Sequence, residues 1–397
     1  MSETVLKKHR VMILLSPTSS GSIGSMTKCI GIAKAVEERN CQVCFAISGE
    51  LGDTLRKLGY LVYPYPIPQP KKIMQDINNL TDFVEWAGMA DESFIREAVK
   101  SEIEAIKQFK PDVIFAEARP SAIISARIAG VPTVMIASWP CSEKNIVNKK
   151  ADGECIKGFN KVLKENNLPQ INNVAELFFK DADIKLSPSI PELEPELSNE
   201  KDVIFAGYIL DTDCSVKLPD WYTLWGKRDF QVFMYLSVSA LPPSYYIDTV
   251  VNAFKDKPCR VVCSCGFHYE VSDLPHADDN IRFTRYIPSA PVMRDSDIVI
   301  FHGGQDTMLT ALLNGLPSMT ITGRHFERAY NAEQLEKIGA SKRLSLMSFR
   351  ANRLFSEVEE VLRGPYGDVS RRISHDLKNY GGTEYCAEVL AGMAGAS

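Results

Sequence analysis

The sequence predicts an α/β protein built from two Rossmann-like domains with parallel sheets. The first observation is a βαβ series at the start of the chain: an apolar strand at 11–15, a helix at 26–40 and a strand at 42–48. The second is a similar series that begins with a strand at 230–236. A strand, a crossover helix and a second strand pair in parallel. The length of 397 residues suits two such domains.

The first series continues through the half of the chain that we expect to be the N-terminal domain, residues 1–206. Pro64, Pro66, Pro68 and Pro70 interrupt it, because proline cannot donate a backbone hydrogen bond. Asp91 is the expected cap of a long helix with one apolar face. The remaining predicted elements are a helix at 51–58, a strand at 61–63, an irregular helix at 71–89, strands at 113–116, 131–137, 184–186 and 203–205, and a helix at 121–129.

Residues 207–229 carry glycine and proline without a hydrophobic period, and we interpret them as an interdomain linker. The second domain is then expected at 230–366, with a helix at 245–254 and strands at 260–265 and 281–283. The end of the chain, 367–397, is predicted to be helical.

Composition excludes several classes of protein. A net charge of −5 provides no basic field for nucleic acid. No apolar run is long enough to span a bilayer, so we expect a cytoplasmic protein, either a monomer or a homodimer. The ten cysteines lack the density of a disulfide scaffold and the paired spacing of a zinc site, which favours reduced thiols.

The stretch 298–340 contains the strongest functional pattern. A buried strand at 299–301 leads directly into His302-Gly303-Gly304, and a helix is expected at 307–313, capped by Asp306 or Thr307. Glycines let the backbone approach a ligand closely, and a helix N-terminus presents N–H groups to an anion. A nucleotide diphosphate fits this chemistry. An ordinary strand-to-helix turn with a buried histidine fits the residues equally well.

The spaced set His302-Gly303-Gly304-x-x-Thr307, Ala311-Leu312, Gly315-x-Pro317 and Asn331-Ala332 resembles the donor signature of nucleotide-sugar glycosyltransferases of family 1, the UDP-glycosyltransferase and macrolide glycosyltransferase type. The resemblance implies the GT-B fold, in which two Rossmann-like domains face each other across a cleft and a C-terminal helix crosses back to the N-terminal domain. It also implies inverting transfer of a sugar from a UDP- or dTDP-sugar to a small acceptor. The nucleotide-sugar would be a co-substrate, and neither cofactor nor metal is expected.

The resemblance assigns donor-binding roles to a set of residues. His302, Gly303, Gly304 and Thr307 would bind the pyrophosphate. Tyr286 would stack on the base and the backbone of Ile287 would recognise its edge, although Tyr286 equally fits core packing. Ser237 is assigned to the same site, and Glu327 and Arg328 would contact the sugar. Arg328 departs from the family, which commonly has Gln there.

Two further departures concern the donor and the base. Thr310 stands where the family often has a Glu that binds the ribose hydroxyls, which favours a deoxyribose donor such as a dTDP-sugar. Ser25 stands where the family has a catalytic His, and Glu117 stands where an acidic residue holds that His. A positioned base contributes about 10²–10⁴-fold to such a reaction. Either Glu117 acts as the base, or it only bonds Ser25 and the acceptor is acidic enough to need little help.

The acceptor is expected to be a small molecule such as a natural product or a lipid-like aglycone. Phe83, Trp86 and Trp139 are candidate acceptor-binding residues, because aromatic side chains line such pockets. Packing of Phe83 and Trp86 against the domain is the alternative.

Two other functions remain open from the sequence. A GT-B homologue that has lost its base would act as an auxiliary partner of another enzyme, and a nucleotide-sugar epimerase shares the fold.

Overall fold

A computed structural model of the chain describes residues 8–18, 22–70, 76–150, 153–210, 217–226, 228–236, 242–266 and 279–396. The chain divides into two compact units. Unit 1 comprises Met1–Asp211 and Tyr380–Ser397, and unit 2 comprises Thr212–Asn379. The expected linker at 207–229 is therefore shared between the two units.

Unit 1 contains a parallel sheet of seven strands in the order β3-β2-β1-β4-β5-β6-β7. Its inner strands are apolar and buried on both faces, as strands between two helical layers must be. The strands are β1 Arg10–Leu14, β2 Gln42–Ala46, β3 Leu61–Tyr63, β4 Val113–Ala116, β5 Thr133–Ile136, β6 Ile184–Ser187 and β7 Val203–Phe205.

Seven helices belong to the described part of unit 1. They are α1 Ser22–Glu38, α2 Gly49–Lys57, α3 Leu80–Trp86, α4 Glu92–Phe109, α5 Pro120–Ala129, α6 Cys155–Glu165 and α14 Gly382–Ala396. Gly130 ends α5 in the left-handed conformation, at φ +68°, which glycine adopts without steric cost.

Unit 2 contains a six-stranded parallel sheet in the order β10-β9-β8-β11-β12-β13. The strands are β8 Phe230–Tyr235, β9 Cys259–Ser264, β10 Ile281–Thr284, β11 Ile298–Phe301, β12 Ser318–Thr320 and β13 Ser341–Arg343. The helices are α7 Asp220–Thr223, α8 Pro243–Phe254, α9 Ser289–Arg294, α10 Gln305–Leu313, α11 Phe326–Lys337, α12 Ala351–Arg363 and α13 Tyr366–Lys378.

The predicted architecture of two parallel-sheet Rossmann-like domains is confirmed. Several boundaries were wrong. Helix α1 begins at Ser22 rather than at residue 26, and the helix expected at 71–89 is present as α3 only, with 71–75 outside the described residues. The terminal helical segment is two helices, of which α13 belongs to unit 2 and α14 to unit 1.

The core of unit 1 explains where α14 packs. Cys386, Ala387, Leu390 and Ala394 of α14 join the buried cluster formed by β1, β2, β4 and α1. Arg39, directly after α1, donates to Glu384 at 2.9 Å on the exposed side of this contact. Small side chains on α14 allow its backbone to lie close to α1, so the last helix completes the first domain of the chain.

The order of the strands determines where a ligand can bind. In each sheet the connection reverses direction at one point, between β1 and β4 in unit 1 and between β8 and β11 in unit 2. Loops that leave neighbouring strands at such a point diverge to opposite faces and leave a crevice at the carboxyl ends. The candidate residues Glu117 and His302 directly follow β4 and β11.

A buried ion pair joins the strand ends in unit 1. Arg119, just after β4, is fully buried, and its Nε donates to Glu102 Oε1 at 2.7 Å. Its Nη1 donates to the carbonyls of Ala46 and Leu15 at 2.6 and 3.2 Å, and its guanidinium lies 3.4 Å from the ring centre of Tyr65. Two strand ends and α4 are therefore fixed by one side chain.

Replacement of Arg119 with Met should strongly destabilise unit 1, because Glu102 would be left as a buried charge without its partner. Breaking a buried ion pair costs about 3–5 kcal/mol. Denaturant unfolding would measure the change. The double variant with Glu102→Gln should recover part of the loss. The control Arg96→Met, which breaks the half-exposed Arg96–Glu165 pair, should cost under about 1 kcal/mol. Equal costs for the two single variants would contradict the role given to Arg119.

Candidate active site

The turn after β11 brings the backbone unusually close to the start of α11. Gly303 has φ +89°, and a Cβ there would lie 2.6 Å from the carbonyl oxygen of Arg328 and 3.0 Å from Cγ2 of Thr322. The Asn331 side chain donates to the Gly303 carbonyl at 2.9 Å. Glycine is required at 303, and Asn331 holds the turn in place. The spacing of His-Gly-Gly and Asn-Ala in the sequence thus reflects a contact between two segments.

Helix α10 begins directly after this turn. Gly304 is its N-cap and Gln305 its first residue, so the prediction of a cap at Asp306 or Thr307 was wrong. The error has a physical cause, because side-chain cap preferences do not anticipate a glycine whose extended backbone already serves as the cap. Thr307 consequently lies in the first turn, among the residues whose N–H groups have no partner inside the helix.

The His302 side chain is buried at the tip of β11, with 7% of its surface exposed. Its Nδ1 lies 3.2 Å from the carbonyl oxygen of Tyr235 at the end of β8. A carbonyl only accepts hydrogen bonds, so Nδ1 carries the proton and Nε2 is the free nitrogen of the neutral ring. A Cβ at Gly304 would lie 2.9 Å from that Nε2. Because Gly304 has no Cβ, residue 304 places no side-chain atom against this nitrogen.

Burial, followed by the nearby charge of Arg328, lowers the pKa of His302 to about 3. The ring is neutral near pH 7 in the absence of a ligand. His325, at the N-cap position of α11, also has its pKa lowered to about 3 by burial and then by Arg328. Arg328 is therefore the cation beside two neutral imidazoles, and burial lowers the pKa of its own guanidinium.

The other predicted donor residues follow strands at the carboxyl edge of the unit 2 sheet, except for one that lies outside the described residues. Tyr286 and Ile287 follow β10, which is three strand spacings from β11, or about 14 Å. Tyr286 is half exposed and Ile287 is buried. Glu327 lies in the first turn of α11. Ser237 lies outside the described residues.

Thr310 lies one turn into α10, and its hydroxyl donates to the backbone carbonyl of Asp306 at 2.7 Å. This internal hydrogen bond uses the only proton of the hydroxyl. Thr310 can then offer a ligand lone pairs alone, whereas a carboxylate could accept from two hydroxyls.

The predicted base in unit 1 is part of a buried cluster. The Ser25 hydroxyl donates to Glu117 Oε2 at 2.6 Å, and Lys28 Nζ lies 2.7 Å from Glu117 Oε1. The thiol of Cys29 is 3.5 Å from Oε2, and burial followed by the charge of Glu117 raises its pKa well above its usual range. Lys28 and Glu117 are 4% and 6% exposed.

Lys28 was not among the residues predicted from the sequence. The helical spacing could have indicated it, because residues three apart on a helix share a face and Lys28 therefore lies beside Ser25 on α1. Ala118, between Glu117 and Arg119, has φ +48°, a strained conformation for a residue with a Cβ. The two buried ion pairs on either side of Ala118 hold it there.

The candidate acceptor residues lie in other parts of unit 1. Phe83 and Trp86 belong to α3 and their ring centres are 6.2 Å apart. Trp139 begins a short 3₁₀ helix after β5, and its backbone N–H donates to Glu194 Oε2 at 2.8 Å. Its ring packs partly against the apolar cluster of Ala137, Phe179, Leu197 and Val203.

No helix in the described ranges combines the length and the apolar character needed to span a lipid bilayer. In the same ranges, no three His, Cys, Asp or Glu side chains are grouped as metal ligands.

Residues 261–387 match the family model of the erythromycin biosynthesis protein CIII-like C-terminal domain. A rhamnosyltransferase of PGL/p-HBAD biosynthesis from Mycobacterium bovis is 22% identical over 70% of this chain and 67% of its own length. A glycosyltransferase of PGL/p-HBAD biosynthesis from Mycobacterium tuberculosis is 21% identical over 94% of this chain and 89% of its own length.

Solved glycosyltransferases share the fold over nearly the whole chain. The calicheamicin glycosyltransferase CalG4 has a TM-score of 0.78 at 15% identity, with 98% of this chain and 99% of the other covered. The kitacinnamycin glycotransferase has a TM-score of 0.77 at 19% identity, with 97% and 98% covered. Together with the relatives, these matches show that the chain has the GT-B fold of two Rossmann-like domains and is similar in sequence to glycosyltransferases.

Replacement of Gly303 with Ala should disrupt this turn. The control is Gly339→Ala in the same unit, at φ +80° but with its nearest side-chain atom 3.8 Å away. Both variants place a Cβ at a positive φ, so their difference isolates the clash with Arg328. We expect Gly303→Ala to cost about 1–3 kcal/mol more than the control, the usual range for an overpacked site. Unfolding by denaturant measures both, and equal costs would mean that the turn relaxes freely.

Proposed function

We propose that this enzyme transfers a sugar, with inversion, from a UDP- or dTDP-sugar bound by unit 2 to a hydroxyl of a small acceptor bound by unit 1. The observation that carries the proposal is the His302-Gly303-Gly304 turn, where the His302 ring, the N-terminus of α10 and the Arg328 charge lie close together. Such a site suits a diphosphate leaving group, because its negative charge increases as the bond to the sugar breaks.

Each donor residue has a part in the proposal. Gly304 and Thr307 donate to the pyrophosphate from the first turn of α10, and His302 donates from Nε2. Tyr286 stacks on the base, and the distance of about 14 Å between the ends of β10 and β11 leaves room for the ribose and phosphates. Glu327 accepts from sugar hydroxyls, and Arg328 provides the positive charge that replaces a metal ion. We therefore expect turnover without a divalent cation or another cofactor.

We infer the identity of the nucleotide from Thr310. Its hydroxyl proton is donated to the backbone carbonyl of Asp306, and its neutral oxygen is a weaker acceptor for a ribose 2′-hydroxyl than a carboxylate would be. We propose that dTDP-sugars bind at least as well as UDP-sugars. The glycosyltransferase VinC, whose fold matches with a TM-score of 0.75 at 14% identity, was crystallised in complex with dTDP, which supports this choice. The acceptor is proposed to be a natural product or a lipid-like aglycone that contacts Phe83, Trp86 and Trp139.

Donor binding should be accompanied by uptake of a proton at His302. Nδ1 already donates to Tyr235, so a phosphate oxygen at Nε2 needs a second proton on the ring. Without a ligand the His302 ring has a pKa of about 3, and a phosphate bound beside it raises that pKa. Between these two pKa values affinity should fall about tenfold for each unit of rising pH, since binding consumes one proton.

Calorimetry with dTDP-glucose and UDP-glucose in EDTA, between about pH 6 and 8, measures the proton uptake. Each titration is repeated in two buffers of different ionisation enthalpy. The phosphates of the two nucleotide-sugars are diesters and do not titrate in this range. The variant His302→Gln should take up no proton and bind about tenfold to a hundredfold more weakly near pH 6, as expected for a lost charge-assisted hydrogen bond. The exposed His375 provides a matched control, His375→Ala. Unchanged binding by His302→Gln would contradict the donor site.

Replacement of Thr310 with Glu should shift the preference toward UDP. A carboxylate at this position can accept from both ribose hydroxyls, and hydrogen bonds to a charged group contribute about 1.5–3 kcal/mol. We expect the ratio of UDP to dTDP affinity to rise about tenfold or more. Thr310→Gln is the matched control, similar in length but uncharged. If Glu leaves the ratio unchanged, residue 310 does not face the ribose.

A further inference from the structure

Both carboxylate oxygens of Glu117 already have partners within unit 1. Its Oε1 faces the ammonium group of Lys28 at 2.7 Å, and its Oε2 accepts from Ser25 at 2.6 Å and lies 3.5 Å from the thiol of Cys29. The side chains of Lys28 and Glu117 are 5% and 8% exposed. Water therefore provides little alternative solvation for either charge.

A proton transferred to this carboxylate would remove its charge and leave Lys28 as a buried cation without its anion. Such a loss is strongly unfavourable in a buried site. Ser25 offers no way around this, because its own proton points to Glu117. A relay from an acceptor through Ser25 would also end on Glu117 and break the same ion pair. The cluster is therefore poorly suited to act as a general base.

Unit 1 has no imidazole near Glu117. Of the six histidines in the sequence, only His9 belongs to unit 1. His9 precedes β1, whereas Glu117 lies at the carboxyl edge of the sheet. A five-residue strand such as β1 separates the two edges by about 16 Å. His9 is too far away to take a proton from an acceptor beside Ser25.

The same ion pair changes the charge of the site. An isolated carboxylate would repel an anionic acceptor, but Lys28 neutralises Glu117. Arg119 and Glu102, the next charged pair in the sheet edge, also cancel. An acceptor that arrives as an anion therefore meets no net negative charge from these groups, and the Ser25 hydroxyl is held in one orientation with its lone pairs available to a protonated acceptor.

We propose that the acceptor hydroxyl of this enzyme belongs to the class that ionises readily, a phenol or an enol, and that alkyl alcohols are poor acceptors. This inference rests on the proposed function. A phenol has a pKa of about 10, whereas the pKa of an alkyl hydroxyl lies far higher, close to that of water. The first can lose its proton to solvent without an enzymatic base, and the second cannot do so at a useful rate.

The reaction then balances without a protein base. The phenol releases its proton to water. The phenolate oxygen forms a bond to the anomeric carbon while the bond from that carbon to the phosphate oxygen breaks, and the electron pair leaves with the nucleoside diphosphate. Lys28, Glu117 and Ser25 act as positioning residues that keep the site neutral and ordered.

A bifunctional acceptor tests the class of hydroxyl on a single scaffold. Tyrosol carries one phenolic and one primary alkyl hydroxyl, and 17β-estradiol carries one phenolic and one secondary hydroxyl. With dTDP-glucose and UDP-glucose as donors, the wild-type enzyme should form phenolic glycosides at least tenfold or so in excess. Equal or predominant alkyl glycosides would overturn the inference, as would donor hydrolysis without any glycoside.

The variant Ser25→His provides the matched gain of function. An imidazole beside Glu117 supplies a base, so formation of alkyl glycosides should rise at least about tenfold relative to phenolic glycosides. Ser25→Ala is the comparison variant, because it removes the hydroxyl without supplying a base, and it should not raise the ratio of alkyl to phenolic glycosides. If Ser25→Ala instead abolishes phenolic transfer with donor binding intact, Ser25 and Glu117 form a working relay and the inference fails.

A pH profile provides a readout that a purely structural role would not change. With the donor saturating at every pH, kcat/KM for the acceptor should rise with pH along two different curves for 4-nitrophenol and the less acidic 4-chlorophenol, each set by ionisation of the acceptor. A single curve for both acceptors would indicate an enzymatic base and overturn the inference. Loss of nucleotide-sugar binding would overturn the proposed function itself, so the two failures are distinguishable.

Discussion

The close approach of the Gly303 turn to the first turn of α11 is the contact on which the candidate site of unit 2 depends. Only a residue without a Cβ allows the Arg328 carbonyl at this distance. Asn331 then holds the turn through its hydrogen bond to Gly303, and α10 begins directly after Gly304. The His302 ring lies against the end of β8. A single steric requirement therefore sets the positions of a ring nitrogen, a helix N-terminus and a guanidinium.

Unit 1 solves a different problem at the corresponding place in its sheet. Polar side chains that follow buried parallel strands lose their water, and each needs a partner. Arg119 pairs with Glu102, and Glu117 pairs with Lys28. These pairs fix the loop after β4 strongly enough to hold Ala118 in a strained conformation. The same contacts give both carboxylate oxygens of Glu117 a partner within unit 1.

The two units thus differ in how their polar groups are prepared. In unit 2, burial lowers the pKa of His302 and His325 to about 3 and keeps both rings neutral. In unit 1, the charges of Glu117 and Glu102 are already compensated by Lys28 and Arg119. Under the proposed function, this difference would place the electrostatic part of the chemistry at the leaving group and leave the nucleophile to its own acidity.

The sequence by itself determined the two parallel-sheet domains, because apolar strands alternating with amphipathic helices admit few other arrangements. It also identified the His302-Gly303-Gly304 turn and the departures at Ser25 and Thr310, since these depend on residue type at fixed spacing. Only the tertiary structure placed Lys28 against Glu117, the Arg328 carbonyl against Gly303 and the Thr310 hydroxyl on Asp306. Side-chain partners and the burial that shifts a pKa depend on which segments meet after folding. Local sequence carries no record of those distances, because residues 28 and 117 become neighbours only when β4 pairs with β1 and α1 packs beside them.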